Sequence, residues 1–217
     1  MTPAGSGCTL EAAVHAEAAT PATLPARPED IRRLEDALEA AERDARTLVD
    51  GLGDELGEWR AEPGSCSVAH CLDHLATANR VYLAAMRPPA ERARAEGRLR
   101  KRAATPGVIG GLFVWQLEPP VTTWFKLRAP RTIRPQPAPR LRDAFEAFVA
   151  EQLDVLSFLH EHAGLDLAGV HFPNPFIRGI RFSLATGLHV IAAHERRHLW
   201  QAWNVRREAE RDRTAAG

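Results

Sequence analysis

Three cysteines, one tyrosine, two methionines and no excess of either charge are the scarcities that first narrow the reading of this 217-residue chain. Cys8, Cys66 and Cys71 are too few, and odd in number, for a disulfide framework, so a reducing compartment, the cytoplasm, is expected. The 28 Lys and Arg residues balance 28 Asp and Glu. That leaves no global basic surface for counterion-driven binding, so no nucleic-acid partner is expected. No apolar run approaches the ~18 residues of a membrane span, and no membrane partner is expected. Strand-period segments and internal repeats are also absent. What remains is 45% hydrophobic residues in a chain long enough to bury one real core.

Residues 1–27 are rich in Ala, Thr and Pro and have neither a basic start nor an uninterrupted apolar stretch, so they read as a flexible extension rather than a targeting signal. A short helix over Leu10 to Ala19 is compatible with this segment. From Pro28 onward, Ile31, Leu34, Leu38, Ala41, Ala45, Leu48 and Leu52 recur at gaps of three and four, the seam of a first bundle helix. A second helix starts at the N-cap Ser67, shows Val68, Cys71, Leu75, Ala78, Tyr82 and Ala85 on one stripe, and is expected to break at Pro88-Pro89. Residues 89–103 then read as a short, very basic helical piece. Seven prolines between residues 104 and 139 forbid a long helix there, while Leu112, Phe113, Trp115, Trp124 and Phe125 ask for burial, which predicts a long irregular crossover. A third helix from about 139 to 162 carries Leu141, Phe145, Phe148, Gln152, Leu156 and Leu159. A fourth, roughly 179 to 210, carries Leu184, Leu188, Ile191, His194, His198, Ala202 and Val205. The expected fold is all-α: a four-helix bundle over residues 28–210, with a long crossover between helices two and three and a flexible tail over 211–217.

The chemistry concentrates on helix four. His194 and His198 stand one turn apart on the stripe of Leu188 and Ile191, so both imidazoles point into the bundle, where such a pair anchors a first-row divalent ion. Core histidines satisfied by hydrogen bonds are the plainer alternative. The same five residues, His194-Glu195-Arg196-Arg197-His198, spell the HExxH of zinc proteases, in which the glutamate is the general base. The extended form of that motif needs Gly at 201 and His at 204, where this chain has Gln201 and Asn204, so the protease reading fails on context. Glu195 lies about 100° round the helix from His194, which suits a supporting role better than proton abstraction. A third ligand must come from another helix. His74 beside the helix-two stripe is the candidate, with His70 one turn earlier and Asp73 and Cys71 as alternatives. Three protein ligands would leave an open coordination position, as catalysis requires.

Cys66 to Tyr82 (CSVAHCLDHLATANRVY) and Leu184 to Arg207 (LATGLHVIAAHERRHLWQAWNVRR) resemble the DinB/YfiT-like superfamily of metal-binding four-helix bundles. The intervening LEPPVTTWFKLRAPRTIRP and VHFPNPF segments are similar as well, so the likeness covers about residues 29 to 207. It implies a three-His site made by His74, His194 and His198; the position of His70 is not among the family's three, and whether His70 joins the site stays open. A Trp commonly precedes the helix-two Ser in the family; Cys66 stands there in this chain, a change in packing rather than in ligands. The resemblance further implies an enzyme, either a thiol-dependent S-transferase using bacillithiol, mycothiol or glutathione, or a hydrolase, acting on a small molecule. A non-catalytic metal-stabilised bundle or a partner-binding protein is the alternative. One divalent metal is expected, zinc or nickel favoured by all-imidazole ligation, with iron and manganese compatible; a homodimer is compatible too. Gln201 and Asn79 are candidates for orienting a ligand, and His171 for the mouth of the site. Cys66 and Cys71 are candidates for a thiol beside it, although space-filling is the commoner use of such cysteines. Trp200 and Trp203 read as packing residues, and the basic residues from 87 to 102 as a solvated face rather than an anion contact.

Overall fold

In the computed structural model, residues 27–120 and 136–216 are described, and 67% of these are helical. The elements are α1 (Glu29–Val49), α2 (Asp54–Gly57), α3 (Val68–Ala95), α4 (Val108–Leu117), α5 (Leu141–His162), β1 (His171–Pro173), β2 (Arg181–Ser183) and α6 (Leu184–Ala216). The N-terminal extension with its Leu10–Ala19 helix, and the burial of Trp124 and Phe125, fall outside the described residues.

The four long helices α1, α3, α5 and α6 are the four of the sequence reading, and the all-α bundle is the observed fold. α3 packs on α5 and α6, and α1 on the same two, so α1 and α3 stand on the diagonal. Cross-helix bonds give the directions. Asp73 meets Gln136 and Arg80 meets Glu151, so α3 and α5 run the same way. Glu35 meets His160 and Leu38 meets Gln152, so α1 and α5 are antiparallel. Two parallel neighbours joined in sequence require a connection that returns the length of the bundle, which is the physical reason for the long crossover.

Several boundaries differ from the sequence reading. α3 continues through Pro88 and Pro89 to Ala95 instead of breaking there. The carbonyls that lose their donors to the prolines belong to Ala84 and Ala85, which are exposed and half-buried and so open to water, while Met86, Ala90 and Ala93 keep the helix seated in the core. The proline-free residues 108–117 of the crossover form α4, which approaches α6 so closely that a Cβ on Gly110 would lie 2.7 Å from the Thr186 side chain. A helix apolar all round can bury only one side this way. Phe113 packs on Phe182 at 5.3 Å between ring centres, whereas Leu112 and Trp115, expected to be buried, are exposed. The segment before α6 is a small hairpin in which Phe172 pairs with Phe182, and α6 starts at Leu184 and runs to Ala216 rather than ending near 210.

Apolar residues form two clusters along the bundle. One gathers Leu38, Tyr82, Val155, Ile191 and the hairpin phenylalanines; the other gathers Ala41, Leu75, Phe148, Leu199 and Ala202. Between them, at one level of the bundle, lie Asn79, Gln152 and Glu195.

Candidate metal centre

Ser67 opens α3 by accepting the amide of His70 on its hydroxyl at 3.1 Å, and the His70 Nδ1 faces that hydroxyl at 2.7 Å, a capping box with histidine in the usual Glu position. His70 Nε2 lies 3.3 Å from the Pro137 carbonyl. Asp73 accepts from the Gln136 amide at 2.8 Å. Both residues are therefore engaged with the segment that leads into α5. Cys71 is buried in the core, where desolvation raises its thiol well above the ordinary range, and the half-buried Cys66 shifts the same way, so neither is a ready thiolate. Among the described residues both are free.

One turn further along α3, His74 meets the two histidines of α6. The ligand atoms of His74, His194 and His198 all lie within 4.8 Å of one another, and no other His, Cys, Asp or Glu among the described residues joins them. His74 Nε2 and His194 Nε2 are 3.3 Å apart, and the ring centres of His74 and His198 are 4.6 Å apart. Two imidazole nitrogens bound tetrahedrally to one ion at about 2.05 Å would stand roughly 3.3 Å apart, so the donor set and the observed spacing fit a divalent metal. His74 is 7% exposed; His194 and His198 are half-buried.

Electrostatics point the same way. Desolvation, followed by repulsion from His198, His74 and Arg197, holds His194 well below its ordinary value. Desolvation and the charges of His74 and Arg197 push His198 down to about 3, against the opposing hydrogen bond from Gln201. His194 and His198 are thus held as neutral imidazoles, the form that ligates. Gln201 Oε1 stands 3.1 Å from His198 Nδ1, which assigns the proton to Nδ1 and turns Nε2 toward the cluster.

Glu195 occupies a different environment although it lies between the two histidines in sequence. It is 0% exposed, receives Asn79 Nδ2 at 2.7 Å and Gln152 Nε2 at 3.2 Å, and Gln152 also donates to the Leu38 carbonyl at 2.8 Å. Burial, partly offset by those two amides, pushes its carboxyl up to about 8. A carboxyl sealed among four helices is a tie within the bundle, and Asn79, read from sequence as a ligand-orienting group, is spent on it. This network was not foreseen as a unit; its signal is three polar residues falling on otherwise apolar stripes. His171 is likewise not at the mouth of the cluster: it lies on the hairpin at the far end of α3. Trp203 donates to Asp44 at 2.9 Å, a packing role as expected, and Trp200 is half exposed.

An antiparallel α3–α6 pair presenting three clustered imidazoles inside a four-helix bundle defines a candidate metal-binding bundle. A sequence profile of the DinB superfamily matches residues 37–202, three quarters of the chain, and the chain belongs to that superfamily. A search of curated proteins found no match.

Proposed function

We propose that the protein is a metal-dependent enzyme in which His74, His194 and His198 hold one divalent ion, zinc or nickel by ligand chemistry, with iron and manganese compatible. The observation that carries this reading is a cluster of three imidazoles with no fourth protein ligand among the described residues. A structural zinc would claim a fourth ligand, and the candidate one turn before His74, His70, is engaged by Ser67 and Pro137 instead. A divalent ion bound here would lower the pKa of a water or thiol that it coordinates and so supply a nucleophile near neutral pH. Two reactions on a small-molecule substrate fit: transfer of a low-molecular-weight thiol to an electrophile, and hydrolysis. In both, the chain's own contribution is to keep His194 and His198 neutral, with Gln201 fixing the tautomer of His198.

No described helix is long and apolar enough to cross a membrane, and with the odd cysteine count this supports a cytoplasmic placement. The outer side of α4, with Val108 93% and Trp115 70% exposed, supports a homodimer.

Metal analysis of purified protein loaded in turn with zinc, nickel and manganese tests the site: close to one ion per chain is expected, and an empty wild type sinks the reading. The reactions then separate with bacillithiol, mycothiol and glutathione. A thiol that perturbs the spectrum of cobalt-substituted protein and supports conjugation of a model electrophile selects transfer; no response to any of them selects hydrolysis. A crystal structure with His70 on the metal and no exogenous ligand would favour the non-catalytic alternative.

A further inference from the structure

At the far end of α3 from the histidine cluster, a cavity of about 430 Å³ opens where the last turns of the helix meet the hairpin. From His74 to Arg92 is eighteen residues of helix, about 27 Å at 1.5 Å per residue, so the two places are separate. Arg92 from α3, Arg98 just beyond it and Arg181 from β2 line the cavity together with His171 and one carboxylate, Glu96. Arg98 Nη2 donates to the Gly169 carbonyl at 3.0 Å and Arg181 Nη2 to the His171 carbonyl at 3.1 Å. Those bonds hold the two guanidinium groups on the backbone at and just before the hairpin while leaving most of their five donors unused. None of the three arginines forms an ion pair among the described residues, Glu96 included, although many other arginines of the chain do.

We propose that this cavity is a binding site for a phosphoryl dianion. Three guanidinium forks against one carboxylate leave a net charge near +2, which matches a dianion, and the fork geometry suits phosphate oxygens better than an ammonium would. The volume lies in the ~300–1,000 Å³ range of small-molecule pockets, so an organic body attached to the phosphate has room. The site is concave and has no aromatic platform for bases, which disfavours a nucleic acid. Glu96 acts against the ligand, so its removal should strengthen binding where loss of an arginine weakens it.

The test is calorimetric titration of the full-length protein at low ionic strength with glucose 6-phosphate, inorganic phosphate, glucose and a short single-stranded oligonucleotide. Saturable binding of the two phosphates but not of glucose is expected. Arg92→Ala should weaken it about tenfold, and Glu96→Gln should tighten it severalfold. The Arg92 side chain has no hydrogen bond or ion pair among the described residues, so its replacement should leave thermal unfolding unchanged. The combined His194→Ala and His198→Ala variant should bind phosphate like the wild type, which separates this site from the metal centre. A tighter ester than free phosphate assigns the source to a phosphorylated molecule; equal or reversed affinities assign it to the free anion. The proposal is overturned by absence of saturable phosphate binding, by indifference to Arg92→Ala, by weakening in Glu96→Gln, by loss of binding in the double histidine variant, or by binding of the oligonucleotide alone.

Discussion

His194 and Glu195 are neighbours in sequence and opposites in setting. His194 is half-buried and turned toward two other imidazoles across the α3–α6 seam; Glu195, about 100° further round the helix, is sealed at the bundle centre and held by amides from α3 and α5. The HExxH string therefore divides into two devices, a cluster that faces partial solvent and a tie between two apolar clusters. The same letters in a zinc protease place the glutamate beside the metal. Here the helix phase is set by Leu188, Ile191, Leu199 and Ala202, all buried, and those neighbours decide which side chain sees the site.

The comparison breaks most completely at the cluster. His194→Ala combined with His198→Ala is expected to take metal content from close to one ion per chain to none, read by elemental analysis, because a single remaining imidazole cannot hold a first-row ion against solvent. Retention of stoichiometric metal would move the site elsewhere. The tie is next. Gln152→Ala removes a buried donor from both the Leu38 carbonyl and Glu195 and leaves a cavity, so unfolding should be easier by about 2–4 kcal/mol in denaturant titration. Metal stoichiometry should stay intact if the two devices are as separate as their geometry says.

What the sequence revealed and what it hid follow the same division between local and distant causes. Apolar spacing marked α1, α3, α5 and α6, and the stripe of Leu188 and Ile191 turned His194 and His198 inward; these are local properties of a helix. His74 was placed by the stripe it borders and by the resemblance to a family. The passage of α3 through Pro88-Pro89 was not legible, because it depends on Met86, Ala90 and Ala93 finding a core supplied by other segments. Nor was the partner of Asn79, since its position suits a site facing α6 and only the register of α6 against α3 brings Glu195 there. His70 was closer to legible: Ser67 as N-cap with a polar residue three further on is a capping pattern, although the acceptor there is an imidazole.

The proton on Glu195 sharpens the contrast further. Its carboxyl stands at about 8 in the folded chain against an ordinary 4.5, so between those values the folded state holds a proton that the unfolded state has shed. Stability must then fall as pH rises through that window, by up to about 1.4 kcal/mol per pH unit from this one group. The network is rich in acceptors, since Asn79 Oδ1 and Gln152 Oε1 are buried without partners among the described residues, and the proton supplies a donor. Glu195→Gln keeps a donor at every pH and should flatten the profile between pH 4.5 and 8 in thermal unfolding. Metal content should be unaltered. A variant that instead loses catalysis at wild-type stability would make Glu195 a catalytic base.

The smallest effect is expected at Gln201, which acts on the cluster only through His198. With Oε1 at 3.1 Å from Nδ1, it favours the tautomer whose Nε2 lone pair faces the other two histidines. Gln201→Leu removes that acceptor but no ligand, so the ion should still bind, about tenfold more weakly in competition with a chelator, equivalent to about 1.4 kcal/mol. Gln201 is half-buried at the surface of α6, and its loss should move the unfolding midpoint of the metal-free protein very little. Gln201→Glu keeps an acceptor toward Nδ1 and should recover the lost affinity. That recovery distinguishes orientation of the imidazole from mere packing: a packing role would follow side-chain shape and leave metal affinity insensitive to whether the acceptor is present.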